Sequence, residues 1–153
     1  MGNRYGLEIR AAAGPDAPGL AELLGAAGLA VGAADLAARL DALQGSGGTA
    51  LVAVEWGPPS GLIALAPIRT LEASRATGLI TTLVVAAESR RRGIGRVLLK
   101  AAARAARQAG CERLVLNIGT GQEALHAFAV AAGFTDDGQI LARPLLKRGS
   151  AET

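Results

Sequence analysis

The chain has 153 residues, half of them hydrophobic, and a formal net charge of +3. This length suits one domain with a real core, and this composition excludes intrinsic disorder. The single cysteine, Cys111, excludes an intramolecular disulfide and a thiolate metal cluster within one chain. No run of 18 apolar residues suggests a membrane span, and charges at Arg4, Glu8 and Arg10 argue against a secretory signal. We therefore expect one domain over residues 1–153, in the cytoplasm, with no metal and no membrane partner.

Hydrophobic periodicity predicts a mixed α/β (α+β) domain with elements in the order β-αα-βββ-α-β-α-β. The predicted elements are a strand Tyr5–Ala12, helices Asp16–Ala27 and Ala33–Leu43, strands Thr49–Trp56, Gly61–Arg69 and Leu79–Ala86, a helix Gly93–Ala109, a strand Arg113–Ile118, a helix Gly121–Ala132 and a strand Gln139–Lys147. The helix Gly93–Ala109 joins two strands in a β-α-β crossover, so these two strands should be parallel.

Positive charge is concentrated around the helix Gly93–Ala109. Residues 90–113 hold eight of the 16 basic residues and a single acid, Glu112. One face of the helix is apolar, through residues such as Ile94 and Leu98, and the opposite face is cationic. The cationic face consists of Arg96, Lys100, Arg104 and Arg107. Such a surface attracts phosphates, although a solvated helix face and a nucleic-acid patch are alternatives. The nucleic-acid alternative is weakened because no aromatic residues are interleaved with the cations.

The start of this helix has the features of a phosphate-binding turn. A buried strand ends at Ala86, an arginine-rich turn follows, and the helix begins at a pair of glycines, Gly93 and Gly95. Helix N-termini present unpaired N–H groups to anions, and glycine lets a phosphate come close to the backbone. No Gly-Lys-Ser/Thr sequence of a Walker loop is present, and Leu98 stands where a dinucleotide fingerprint needs its third glycine.

The motif Arg90-x-x-Gly93-x-Gly95 resembles the acetyl-CoA signature Gln/Arg-x-x-Gly-x-Gly/Ala of the GNAT superfamily of N-acetyltransferases. The residues Leu83-Val-Val upstream are similar to the strand end of that family. The segment from His126 to Phe134 resembles its H-x-F-Y-x-x-x-G-F motif, and the predicted order of elements matches as well.

This resemblance implies a mixed central sheet in which two parallel strands splay apart and hold acyl-CoA between them. It implies transfer of an acetyl group from acetyl-CoA to a primary amine by direct attack, without a covalent enzyme intermediate. The pyrophosphate would lie on N–H groups of residues 91–96, the pantetheine on the backbone of Leu83 and Val85, and the thioester oxygen near Val84 or Val85. The implied CoA-binding residues are Leu83, Val84, Val85, Arg90, Arg91, Arg92, Gly93, Ile94, Gly95, Arg96 and Asn117.

One position departs from the family pattern. Ala129 stands where the family commonly has a tyrosine that protonates the leaving thiolate. His126, the only histidine, is one candidate for relaying that proton, and Asn117 is another weak catalytic candidate. A structural role for His126 is the competing interpretation. The catalytic residues are therefore not assigned by the sequence.

The general base is also open, because the central strand carries no carboxylate where relatives often have a glutamate. The carboxylates Glu55, Glu72 and Asp136 are candidates by position only, and a water chain through Thr81 or Thr82 is an alternative.

Two functions follow from these observations. The first is an N-acetyltransferase, whose partners would be acetyl-CoA and an unidentified amine, with no nucleic acid; a homodimer stays open. The second is a catalytically weak acyl-CoA-binding sensor or regulatory module, which the alanine at position 129 favours. The acceptor would contact residues 26–36 and 134–139, which carry few diagnostic side chains.

Overall fold

The computed structural model describes residues 6–90 and 92–146, so the predictions for Tyr5, Arg91 and Lys147 lie outside the described residues. The strands are β1 (Glu8–Ala11), β2 (Thr49–Val54), β3 (Gly61–Ile68), β4 (Ala76–Val85) and β5 (Cys111–Leu116). The helices are α1 (Ala17–Ala26), α2 (Ala33–Gly45), α3 (Ile94–Gln108) and α4 (Glu123–Ala131). The predicted fold class is confirmed, and the predicted order holds from the first strand to the last helix.

The five strands form one mixed sheet in the order β1-β2-β3-β4-β5. Neighbouring strands from β1 to β4 are antiparallel. Short loops join β2 to β3 and β3 to β4, whereas α1 and α2 lie between β1 and β2. The pair β4–β5 is parallel because α3 carries the chain back along the sheet, which confirms the predicted crossover.

Helices cover both faces of this sheet. On one face, leucines of α1 and α2 pack against alternate residues of three strands. This cluster includes Leu20, Leu23, Leu24, Leu36, Leu40, Ala50, Val52, Leu62, Ala64 and Val84. On the other face, α3 lies close to the start of β3 because Gly61 has no side chain. A Cβ atom there would come within 2.8 Å of Leu98 Cδ1 and 3.1 Å of Ile94 Cγ2.

A bidentate ion pair joins β1 to the start of α1. The two Nη atoms of Arg10 each lie 2.8 Å from an oxygen of Asp16, which also accepts a hydrogen bond from the Ala13 N–H at 2.8 Å. The hydrogen bonds from Arg10 lower the pKa of Asp16, although partial burial opposes this shift.

The predicted last strand, Gln139–Lys147, is wrong for the residues that the structure describes. Residues 139–146 have no regular secondary structure, and Leu141 and Leu145 are almost fully exposed. They belong to a second compact unit that begins at Asn117, whereas the sheet and the first three helices form a unit that ends at Leu116. An apolar run becomes a strand only where a neighbouring strand supplies hydrogen bonds. No helix within 6–90 and 92–146 is long and apolar enough to span a membrane.

Candidate functional site

A β-bulge interrupts β4 at Thr81. Leu65 pairs with Ile80 and Ala64 pairs with Thr82, so Thr81 is an extra residue without a counterpart on β3. Its hydroxyl donates a 3.4 Å hydrogen bond to the carbonyl of Ala64. The extra residue reverses the alternation of side chains between the two faces of the sheet. Thr82 therefore lies on the α1–α2 face with Ala64, whereas Ile80, two residues earlier, lies on the opposite face with Leu65. The bulge thus bends β4 at its centre.

The bulge lies where β4 loses its parallel neighbour. Pairing between β4 and β5 ends at Ile80 and Leu116, but β4 continues to Val85. Directly after the last residue of β4, the Ala86 N–H donates a hydrogen bond of 2.9 Å to the Ser60 carbonyl, on the side of β3. Backbone amides alternate between the two edges of a strand, so those of Leu83 and Val85 face the edge that β5 does not cover. An extended ligand could add to the sheet along this edge.

The edge of β4 leads directly into the glycine turn. Gly93 is the N-cap of α3 and has φ = +80°, a conformation that favours glycine. The first helical hydrogen bond runs from the Val97 N–H to the Gly93 carbonyl, at 3.0 Å. The N–H groups of the three residues between them therefore have no acceptor within the helix. No side chain in the described part of the chain caps this terminus, and an atom at the Gly93 Cβ position would meet nothing within 4 Å. This open, positively polarised terminus suits a phosphate.

The arginines of the turn differ in their contacts. Arg92 forms an ion pair with Glu55, which directly follows β2. Arg90 donates from Nε to the carbonyl of Val85 at 3.4 Å, at the end of β4. Arg96 is exposed in the first turn of α3, at the same end as the unpaired N–H groups. The turn is thus tied to two strands, and Arg96 adds charge at the helix N-terminus.

The candidate bases of the first unit lie in different places. Glu55 is engaged with Arg92, and Glu72 is exposed on the loop between β3 and β4, at the end of the sheet opposite the turn. Glu72 is therefore distant from the turn along the sheet, and its role as the base stays a prediction. Thr81 and Thr82 lie at the bulge, beside the uncovered edge. Among the candidates of the first unit, the two threonines are therefore the ones that lie at this edge.

The remaining candidates belong to the second unit. Asn117 is exposed and follows β5 directly. On α4, the His126 side chain is 52% exposed, and its Nε2 lies 3.8 Å from Asp136 Oδ1. Ala129, one turn later, is only 4% exposed. The histidine therefore has a carboxylate neighbour, and the position of the missing tyrosine is buried.

Two features of the site were missed from the sequence. The Thr81 bulge has a weak signal, since Thr81-Thr82 interrupts an otherwise apolar strand. The ion pair of Glu55 with Arg92 joins residues 37 positions apart, and nothing local indicates it. The buried side chain of Ser60, whose hydroxyl donates to the Ala53 carbonyl at 3.2 Å, fixes the β2–β3 loop beside the turn.

Comparison with known proteins identifies relatives of the chain. Residues 22–134 match the family model described as the acetyltransferase (GNAT) family. No curated protein matches the sequence. A Trypanosoma brucei acetyltransferase is similar in structure, with 25% identity, a TM-score of 0.78, and coverage of 91% of this chain and 99% of that chain.

Two further solved structures show the same architecture. A proposed acetyltransferase from Agrobacterium tumefaciens str. C58 is 29% identical, with a TM-score of 0.78 over 90% of this chain and 99% of that chain. The structure of AAC(6')-Iy in complex with the bisubstrate analogue CoA-S-monomethyl-acetylneamine is 16% identical, with a TM-score of 0.76, and covers 90% and 97% of the two chains. At that identity the likeness concerns the fold alone.

Proposed function

The chain belongs to the GNAT family of acetyltransferases, and from this premise we propose that it transfers an acetyl group from acetyl-CoA to a primary amine. The observation that carries the proposal is the continuity of the uncovered edge of β4 with the open N-terminus of α3. The edge of β4 supplies backbone amides in a row, and the N-terminus of α3 supplies unpaired N–H groups. A donor with an amide-containing arm and a diphosphate fits that succession.

In the proposed complex, the diphosphate of acetyl-CoA accepts hydrogen bonds from the N–H groups of Ile94, Gly95 and Arg96. The helix dipole and the Arg96 guanidinium add favourable charge. The amides of the pantetheine arm pair with the backbone of Leu83 and Val85, like an added strand. The structure of AAC(6')-Iy with an analogue that contains CoA supports this class of donor for a protein of the same fold.

The proposed chemistry is a direct acyl transfer. The amine nitrogen attacks the thioester carbonyl carbon, a C–N bond forms, the C–S bond breaks, and CoA leaves as a thiolate that takes up a proton. An N–H group that faces the donor would stabilise negative charge on the carbonyl oxygen. Alternation along β4 argues against Val84 in this role, because the Val84 amide faces β3.

The proton transfers are proposed to use water. A water molecule near the hydroxyls of Thr81 and Thr82 would accept the proton of the attacking amine. Ala129 has no hydroxyl that could act as an acid, so the thiolate is proposed to take its proton from solvent, and His126 stays a predicted candidate for this step. General-acid assistance is worth about 10²–10⁴-fold, so its loss slows the reaction without preventing it.

The buried alanine at position 129 favours a second candidate function, an acyl-CoA-binding sensor with little activity. For either function we propose a single acyltransferase domain over residues 1–153, in the cytoplasm, with no nucleic-acid or membrane partner.

Calorimetry with acetyl-CoA, followed by thiol detection over a panel of amines, tests both functions. We expect binding of acetyl-CoA in a one-to-one ratio, and thiol release together with the acetylated amine in mass spectra. Binding without turnover on any amine would favour the sensor. The absence of binding by a folded protein would contradict both.

A further inference from the structure

Trp56 is the only tryptophan of the chain, and it is 77% exposed. Aromatic residues are scarce in this protein, at 3% of the sequence. A tryptophan usually buries most of its large ring surface in the folded protein, either in the core or against a partner. Because this ring is not buried in the core, we ask which ligand it could contact, starting from its position relative to the proposed donor site.

Two contacts hold the loop that carries Trp56 beside the glycine turn. The Ser60 carbonyl accepts a hydrogen bond from the Ala86 N–H at 2.9 Å, directly after β4. Glu55 forms an ion pair with Arg92, which directly precedes the N-cap of α3. Trp56 follows Glu55 in the chain, so its backbone is one residue away from a contact with the turn.

The same loop is stiff. The rings of Pro58 and Pro59 each fix the φ angle of their residue. Pro59 also packs against α1, where a Cβ atom on Gly19 would come within 2.7 Å of Pro59 Cδ. An aromatic ring held out from a stiff loop loses little conformational entropy when a flat ligand stacks on it. Trp56 therefore has the properties of a binding platform.

We propose that Trp56 stacks on the adenine ring of CoA and makes the protein selective for a donor that carries the nucleotide. This inference rests on the proposed function, since a diphosphate at the N-terminus of α3 places the adenine ring one sugar away from the turn. Purine rings stack readily on indole. The pantetheine arm runs the other way, along β4, so Trp56 would not touch it.

A comparison of ligand fragments tests the proposal. Acetyl-CoA and adenosine 3′,5′-bisphosphate carry the adenine ring, whereas acetyl-4′-phosphopantetheine lacks it. Replacement of a stacking aromatic residue by alanine should weaken each adenine-containing ligand by roughly 5- to 100-fold. We expect this loss for Trp56→Ala, a smaller loss for Trp56→Phe, and unchanged affinity for acetyl-4′-phosphopantetheine, all measured by calorimetry.

The unmodified protein offers a direct signal, because its single tryptophan should lose fluorescence when acetyl-CoA or adenosine 3′,5′-bisphosphate binds. A matched control is Leu71→Ala, which removes an exposed apolar side chain from the loop between β3 and β4, at the opposite end of the sheet. This control should bind all three ligands normally. Melting curves should be alike for all variants, since neither side chain is part of the core.

Equal affinity of Trp56→Ala and the unmodified protein for acetyl-CoA would overturn the stacking proposal and leave the proposed function standing. An equal loss for all three ligands would also overturn it, because the effect would not depend on adenine. If the unmodified, folded protein fails to bind acetyl-CoA at all, the proposed function falls, and this inference falls with it.

Discussion

Substitution of Gly93 by asparagine and by aspartate separates the two roles that its position gives it. Gly93 is exposed and has φ = +80°, and an added side chain would meet no atom within 4 Å of its Cβ. Left-handed backbone costs most L-residues about 1–2 kcal/mol, and less for asparagine and aspartate. The two side chains are nearly equal in shape, so Gly93→Asn and Gly93→Asp should be destabilised alike. The two variants differ in that the aspartate side chain carries a negative charge and the asparagine side chain does not.

The charge should decide the affinity for CoA. An aspartate at this position would hold its carboxylate close to the diphosphate, at about 4 Å. Repulsion between unit charges at that distance is about 1 kcal/mol in water and about 4 kcal/mol near a protein surface. Because the turn is open to solvent, we expect the lower half of this range, which weakens binding by about 5- to 50-fold relative to Gly93→Asn.

Calorimetry of both variants with CoA at low and high salt measures this difference. Added salt screens exposed charges, so the gap between the two variants should narrow as the ionic strength rises. Thermal melting of the two variants serves as the control for folding. Equal affinities for CoA in two equally stable variants would refute the placement of the diphosphate at this helix terminus.

Three further outcomes follow from the same structure. Gly61→Ala should destabilise the protein by about 1–3 kcal/mol, because the methyl group would overlap buried side chains of α3. The control Gly14→Ala should not, because there is open space at the position of its Cβ. An unchanged melting temperature for Gly61→Ala would contradict the packing of α3 on β3. Asp16→Asn should lower stability near neutral pH by about 1.5–3 kcal/mol. Because the folded-state pKa of Asp16 is lowered, its contribution is present above the pKa of the unfolded chain, near 3.9, and is lost as pH falls through the folded-state value. Urea titrations of both proteins should therefore converge in acid, and a gap that persists there would argue against the ion pair. Arg96→Ala should weaken CoA binding, by calorimetry, while Arg107→Ala at the far end of α3 should not; equal losses would indicate diffuse attraction instead.

Much of the candidate donor site could be predicted from the sequence because it depends on neighbours in the chain. Gly93 and Gly95 follow three arginines and precede an amphipathic helix, and each of these signals lies within a few residues. The helix was therefore placed to within a residue at each end, and its cationic face is exposed as predicted. The match of residues 22–134 to the family model confirms the resemblance read from the same motifs.

The sequence did not predict features that depend on distant partners. An apolar run such as residues 139–146 has the composition of a strand, but a strand needs hydrogen bonds from another part of the chain. The bulge at Thr81 is defined only by its register against β3, and the ion pair of Glu55 with Arg92 depends on how the sheet brings the β2–β3 loop to the turn.

The sequence by itself thus determined the family, the order of the elements as far as the last helix, and the glycine turn, since local patterns of backbone preference and hydrophobic spacing specify them. Only the tertiary structure decided which edge of β4 is left uncovered, which arginine is neutralised, and that Trp56 is held beside the turn. These are relations between residues far apart in the chain. They are set by the packing of helices on both faces of the sheet, and by the point at which β5 ends its pairing with β4.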